Sequence, residues 1–262
     1  MGWRSLAPLA ILCLLASARL SGQQANPQKA QAELAATIRA LGGQPWLDLR
    51  TIRTEATAAE FFQGTPTGAM AEVTITQALP DQQRVDLDKG KVVQILTATR
   101  AWEITYKGKK PLPAAQAADD LRWHSHSLGV VLRSWARDPA TVLVDQGQSL
   151  VDRQLADKIT LINSSDDEVT SSDDAVTLDL DAETHLPLRL SFRWRDPRFR
   201  DTNLDAIEYN NFQRIDGIAT PFTLTWTHNG QMVRQRFVRR VEYNRPLPPD
   251  LFNPEVAAAH LK

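Results

Sequence analysis

Cysteine is almost missing from this chain. The only one is Cys13, which excludes an internal disulfide framework and any multi-thiolate metal site. Neither sign of charge is in excess: 30 Lys+Arg stand against 31 Asp+Glu, a formal net charge of −1. Nucleic-acid binders carry a clear basic surplus, so no nucleic-acid partner is expected. Catalytic signatures are missing too. There is no G-x-S-x-G, no H-E-x-x-H, no P-loop and no G-x-G-x-x-G, and without them no nucleophile or nucleotide site can be aligned. No low-complexity linker or strict repeat divides the chain, and no second apolar run of membrane-spanning length follows the first. What is present is 262 residues, 42% hydrophobic and 23% charged, enough to bury a substantial core in one domain.

The first 22 residues read as an address. Arg4 supplies a positive start, Leu6 to Ala16 form an apolar run, and the small residues Ala16, Ser17, Ala18, Ser21 and Gly22 follow. That pattern predicts a cleavable secretory signal peptide over residues 1–22, too short for a comfortable membrane span. Cys13 lies inside the apolar run after Leu12, where a lipidation signal would need a small residue, so it is read as discarded with the signal. A soluble exported protein of one domain, residues 23–262, is expected, with a periplasmic location.

Hydrophobic spacing then divides the mature chain. Ala30, Leu34, Ile38 and Leu41 recur at helical intervals before Gly42-Gly43, predicting an amphipathic N-terminal helix over residues 27–41. From Leu49 the period becomes two, with Ala69/Ala71/Val73/Ile75, Val85/Leu87 and Trp102/Ile104/Tyr106 each alternating with polar residues. With 52–62 and 92–96 these make about five strands. Residues 113–137 break the rhythm, placing Leu121, Leu128, Leu132 and Trp135 on a helical face that ends at Asp138-Pro139. Strands resume afterwards, the cleanest being Leu186 to Trp194. On the last, Val233, Phe237, Val241 and Tyr243 are read as one face, interrupted by Gln235 and Arg239. Turns at Asp196-Pro197, Asp216-Gly217 and Asn229-Gly230 make the sheet an antiparallel meander.

Each long strand has one apolar face, and that face must be covered. Two or three helices cannot cover so wide a sheet, so it must curl into a full or partial barrel plugged by them. The aromatic faces at Trp102, Phe192, Trp194, Phe222 and Trp226 suit a filled interior and an open apolar cavity equally.

This layout of signal, helix, strands, helical interruption and strands resembles the LolA/LolB-like lipoprotein-carrier family. His185-Leu186-Pro187-Leu188-Arg189 resembles a strand opening of related outer-membrane lipoprotein-sorting proteins. Residues 216–222 (DGIATPF) resemble their hairpin, and 244–252 (NRPLPPDLF) their closing segment. The resemblance implies a mainly β (α+β) domain: a strongly curved antiparallel half-barrel of about 11 strands, lidded by helices including residues 113–137. It also implies a carrier or chaperone of the cell envelope holding lipid or lipoprotein acyl chains, served by inner- or outer-membrane transport components. The lipid-anchoring Cys of LolB-type members has no counterpart, so the soluble carrier type fits better.

The cavity lining expected from strand faces and the helical stripe is Trp102, Ile104, Leu128, Leu132, Trp135, Leu190, Phe192, Trp194, Phe222, Leu224 and Trp226. Three polar clusters are assigned blander roles. His124-Ser125-His126 sits in a helical context where the imidazoles point apart and no third ligand is evident, so no metal is assigned. Asn163 to Asp174 carries five carboxylates without the glycine of a calcium loop and reads as a solvated hairpin loop. Arg193, Arg195, Arg198 and Arg200, and on the last strand Arg234, Arg236, Arg239 and Arg240, read as solvated sheet faces rather than a phosphate-binding rim. The expected protein is a non-enzymatic monomer without cofactor, metal or catalytic residues. The alternative is a binding or sensor module of the same fold, acting through a protein partner.

Overall fold

The computed structural model describes residues 26–163 and 175–261. The signal-peptide reading, Cys13 and the acidic segment after Asn163 lie outside those residues. Helix α1 (Pro27–Leu41) starts where Asn26 accepts a hydrogen bond from the Lys29 backbone N–H at 3.1 Å, with Pro27 as the first helical residue. It stops at Gly42, whose φ of 139° only glycine adopts readily. A Cβ there would also lie 3.2 Å from the Gly217 carbonyl oxygen. One short turn, α2 (Gln44–Leu47), leads into the sheet.

The sheet consists of two antiparallel meanders. The first contains β1 (Thr51–Phe62), β2 (Thr65–Ala78), β3 (Gln82–Leu87), β4 (Val92–Leu96), β5 (Ala101–Thr105) and β6 (Gly108–Pro111). Helices α3 (Ala114–Ser125) and α4 (Leu128–Arg133) and a 3-10 turn (Trp135–Arg137) follow. The second meander contains β7 (Thr141–Val151), β8 (Gln154–Asn163), β9 (Ala175–Asp181), β10 (Pro187–Arg195), β11 (Thr202–Ile215), β12 (Ile218–His228) and β13 (Gln231–Tyr243), after which comes α5 (Pro254–His260). Pairing of β1 with β13 joins them into one sheet of order β6-β5-β4-β3-β2-β1-β13-β12-β11-β10-β9-β8-β7. The edges β6 and β7 do not meet, so the barrel stays open.

Among the described residues there are thirteen strands, rather than about eleven. The strand with no sequence signal is β6, Gly-Lys-Lys-Pro, which has no apolar alternation. A short strand bearing lysines and a proline is a common way to blunt a sheet edge against aggregation.

The last strand also differs from its sequence pattern. Its register with β12 shifts between Trp226 and Thr227, and with β1 between Glu55 and Ala56, where Glu55 pairs with Arg240 but Ala56 with Val238. Each shift inserts one residue, Val233 and Arg239, and each reverses the alternation beyond it. Phe237, opposite Thr57, therefore does not share a face with Val241 and Tyr243, whereas the inserted Val233 packs against the main core as Tyr243 does. The face turned to the helices carries Arg234, Arg236 and Val238, then Val241 and Tyr243.

The main core lies between that face of the second meander and the helices. Leu161, Leu178, Leu180 and Leu190 are fully buried, as are Val131 and Leu132 of α4, and Phe192 and Trp135 nearly so. Two buried carboxylates sit at its margin. Asp179 accepts from Arg189 Nε (2.9 Å) and Ser149 Oγ (2.7 Å). Asp205 accepts from Trp194 Nε1 (2.9 Å) and pairs with His228 Nδ1 (2.7 Å). Both charges are paired, as burial demands. Cross-strand partners Val93 and Ile104, and Ile95 and Trp102, lie on the opposite, outer face under Ala257 and Ala258 of α5.

Candidate functional site

Between the sheet and the helices runs a cavity of two lobes. The larger, of about 500 Å³, is walled by β1, β11, β12 and β13 on one side and by Trp46, Trp123, Leu128 and Val130 on the other. A smaller lobe of about 270 Å³ lies on the first meander, against Ala58, Ala71, Val73, Ile75, Val85 and Leu112. The lobes share Gln83, Asp120, Arg234 and Arg236 in their walls, so these four residues mark the junction. The larger volume is within the roughly 300–1,000 Å³ of small-molecule sites.

Registers explain which side chains line it. One row across the sheet reads Leu190, Ile207, Trp226, Arg234, Glu60; the next reads Tyr209, Leu224, Arg236, Ala58, Ala71. Paired residues share a face, so both arginines point the same way as Leu224 and Trp226. Across the first meander the rows shrink to alanine, and that loss of side-chain volume opens the smaller lobe.

Of the side chains expected at the cavity, Leu128, Leu224 and Trp226 border it. Leu132, Trp135, Leu190 and Phe192 are packed inside the main core instead, and Trp194 packs against it with the Arg122 guanidinium 3.5 Å over its ring. Trp102 and Ile104 face outward beneath α5, so the strand-face assignment there is reversed. Phe222 is part of neither wall; the register of β11 with β12 is the same on both sides of it, but Asn211 opposite it takes a φ of 56°. The residues that sequence reasoning missed are Trp46, Trp123, Tyr209 and the two arginines of β13. The arginines stand in a strand whose register is shifted by bulges, while Trp46 and Trp123 come from α2 and α3.

The expected helical lid divides. No residue of α3 is fully buried, whereas Val131 and Leu132 anchor α4. Asp120 and His124, four residues apart on one face of α3, both reach the larger lobe. His126 leaves it, stacking on Phe192 at 4.3 Å with its Nδ1 2.9 Å from the Arg122 carbonyl oxygen. The two histidines therefore do not converge, and among the described residues no group of three His, Cys, Asp or Glu side chains gathers as a metal site.

The charges in the wall are held in different ways. Arg234 donates to Glu60 at 2.8 Å. Arg133 stacks on Trp46 at 4.4 Å and donates to its carbonyl oxygen at 2.7 Å; burial, with Arg137 adding to it, pulls its pKa down. Arg236 lies over Trp226 at 4.7 Å, and burial, helped by the like charge of Arg234, lowers its pKa to about 9. Burial raises the Asp120 carboxyl above the usual range, with Arg234 opposing and Asp119 reinforcing.

No family model matches this chain, and no curated protein matches it either. Solved structures do. A domain described as outer membrane lipoprotein-sorting from Vibrio parahaemolyticus superposes with a TM-score of 0.58 at 10% identity, covering 89% of this chain and 100% of its own. A DUF1329 family protein from Desulfovibrio piger gives 0.62 at 12%, covering 88% and 99%. A LolA superfamily protein from Nitrosomonas europaea gives 0.54 at 11%, covering 89% and 100%. The open, strongly curved sheet with helices in its hollow is thus the LolA-like fold.

Proposed function

We propose that this protein is an exported, periplasmic carrier that shelters the acyl chains of a lipid or lipoprotein in its two-lobed cavity. The observation that carries this reading is the cavity itself, an apolar hollow left open beside a core that is otherwise filled. Each methylene moved from water into such a wall contributes about 0.8 kcal/mol, so chains bind without directional chemistry. The LolA-like fold supports the reading, and the charged-then-apolar pattern of residues 1–22 supports export. The same reading makes the protein non-enzymatic, with no cofactor, and assigns donor and acceptor roles to membrane components. Among the described residues no helix is long and apolar enough to cross a membrane.

Loading needs a movable wall. Helix α3 serves best, because it is held by half-buried residues only, while α4 and Trp135 belong to the core. The segment His126-Ser127 between them is the natural hinge, opening α3 from the junction of the two lobes.

Native mass spectrometry with lipid extraction on protein purified from a bacterial periplasm tests this. Near one-to-one lipid or acylated protein is the expected result. An empty protein that also rejects a fluorescent fatty-acid probe overturns it.

A further inference from the structure

Among the described residues, Arg236 is the one arginine of the cavity wall hydrogen-bonded to neither a carboxylate nor a backbone carbonyl. Its neighbours in the row are Leu224 on β12 and Ala58 on β1, neither of which offers an acceptor. Among the described residues its guanidinium makes no hydrogen bond or ion pair, and its Nε is buried without a partner. The closest like charge, Arg234, is already engaged with Glu60. Opposite, on α3, His124 presents a buried Nε2 that likewise has no partner. Asp120, one helical turn earlier, brings the one carboxyl among the described residues that both lobes share, and burial raises its pKa above the usual range, which weakens its repulsion of an anion.

Buried donors without acceptors are costly, so an arrangement of this kind calls for an external acceptor. A bidentate oxyanion suits a guanidinium best. The position matters as much as the charge: Arg236 stands at the junction, with apolar volume on either side.

We infer that the cavity is built for an anionic amphiphile, whose oxyanion head group sits on Arg236 at the junction while its acyl chains extend into the lobes. A fatty-acid carboxylate and a phospholipid phosphate share that chemistry. The inference rests on the carrier reading and narrows it, setting acidic lipids apart from neutral ones.

The experiment compares matched pairs on the whole delipidated protein: a long-chain fatty acid with its alcohol, and phosphatidate with its diacylglycerol. Each acid should bind about tenfold or more tightly than its neutral partner, the usual scale for hydrogen bonds to a charged group. The tighter of the two acids identifies carboxylate or phosphate as the head. Arg236→Met should remove the preference, so that each acid binds no more tightly than its neutral partner. Arg236→Lys, which keeps the charge but loses the fork, should retain part of it. Arg240→Gln, on an exposed arginine paired with Glu242, controls for net charge and should retain all of it. Equal binding of acid and neutral partner by the wild type overturns the inference and leaves the carrier reading standing, as does a preference that survives Arg236→Met. Failure of all four probes to bind overturns the carrier reading and the inference together.

Discussion

The two meanders of one sheet treat their inner faces in opposite ways. In the second, Leu161, Leu178, Leu180, Leu190 and Phe192 meet α1, α4 and the Trp135 turn, and almost nothing of them remains exposed. In the first, Ala56, Ala58 and Ala71 stand on the inner face, and what reaches over that half is Leu112 with Gln116, Ala117, Asp120 and Leu121 of α3. Sheet pairing continues unbroken through both. Stability and vacancy are therefore separated along the strand order, and the filled half supports the rigidity that the hollow half lacks the packing to provide.

That contrast can be broken most forcefully at the helices. Leu132→Asp places a charge in the filled half and should abolish cooperative folding, whereas Leu128→Asp, at the cavity wall, should keep the β-sheet circular dichroism while losing the fatty-acid probe. Similar probe binding and similar melting for the two would erase the distinction. Next in size, Phe192→Ala should cost about 3–5 kcal/mol in urea unfolding, while Val73→Ala on the hollow side should cost about 1 kcal/mol or less, since its neighbours already border open volume. Ala71→Trp is the converse test. It fills the smaller lobe, so probe affinity should fall about tenfold while the midpoint of unfolding moves little; unchanged affinity would mean that the lobe takes no chain. The smallest effect is expected at Asp120. Burial raises its folded pKa above the unfolded value, so the contribution is full below the ordinary aspartate range and is lost as pH rises through the folded pKa. Asp120→Asn should thus melt slightly higher than the wild type at neutral pH and lose that advantage in acid, as followed by thermal scans at both.

Much of the architecture was legible because burial imposes periodicity. The amphipathic spacing of Ala30, Leu34 and Leu41 marks α1, and alternation marks Leu186 to Trp194 of β10, since both faces of these elements meet different surroundings. β6 was not legible because an edge strand of Gly-Lys-Lys-Pro buries nothing on either side. The cavity was legible only in outline. Leu224 and Trp226 carry an uninterrupted alternation, but Trp102 and Ile104 are apolar for α5, an element whose docking leaves no mark in β5 itself. Arg234 and Arg236 looked solvated because arginine on alternate positions is what an exposed face shows, and a single inserted residue, at Val233 or Arg239, is invisible to hydrophobic pattern.

The seam between β1 and β13 also sets the order of assembly. It pairs Ile52 with Tyr243, the two ends of the sheet's sequence, so the contact carrying the largest loop-closure entropy is also the one on which continuity depends. Until that seam closes, the hairpins of each meander can form, but β1 and β13 are left as bare edges open to pairing with another chain. The wall holding Arg236 is incomplete at that stage. A ligand site walled from both sides of that seam is unable to capture cargo before it closes, so loading is confined to the completed fold.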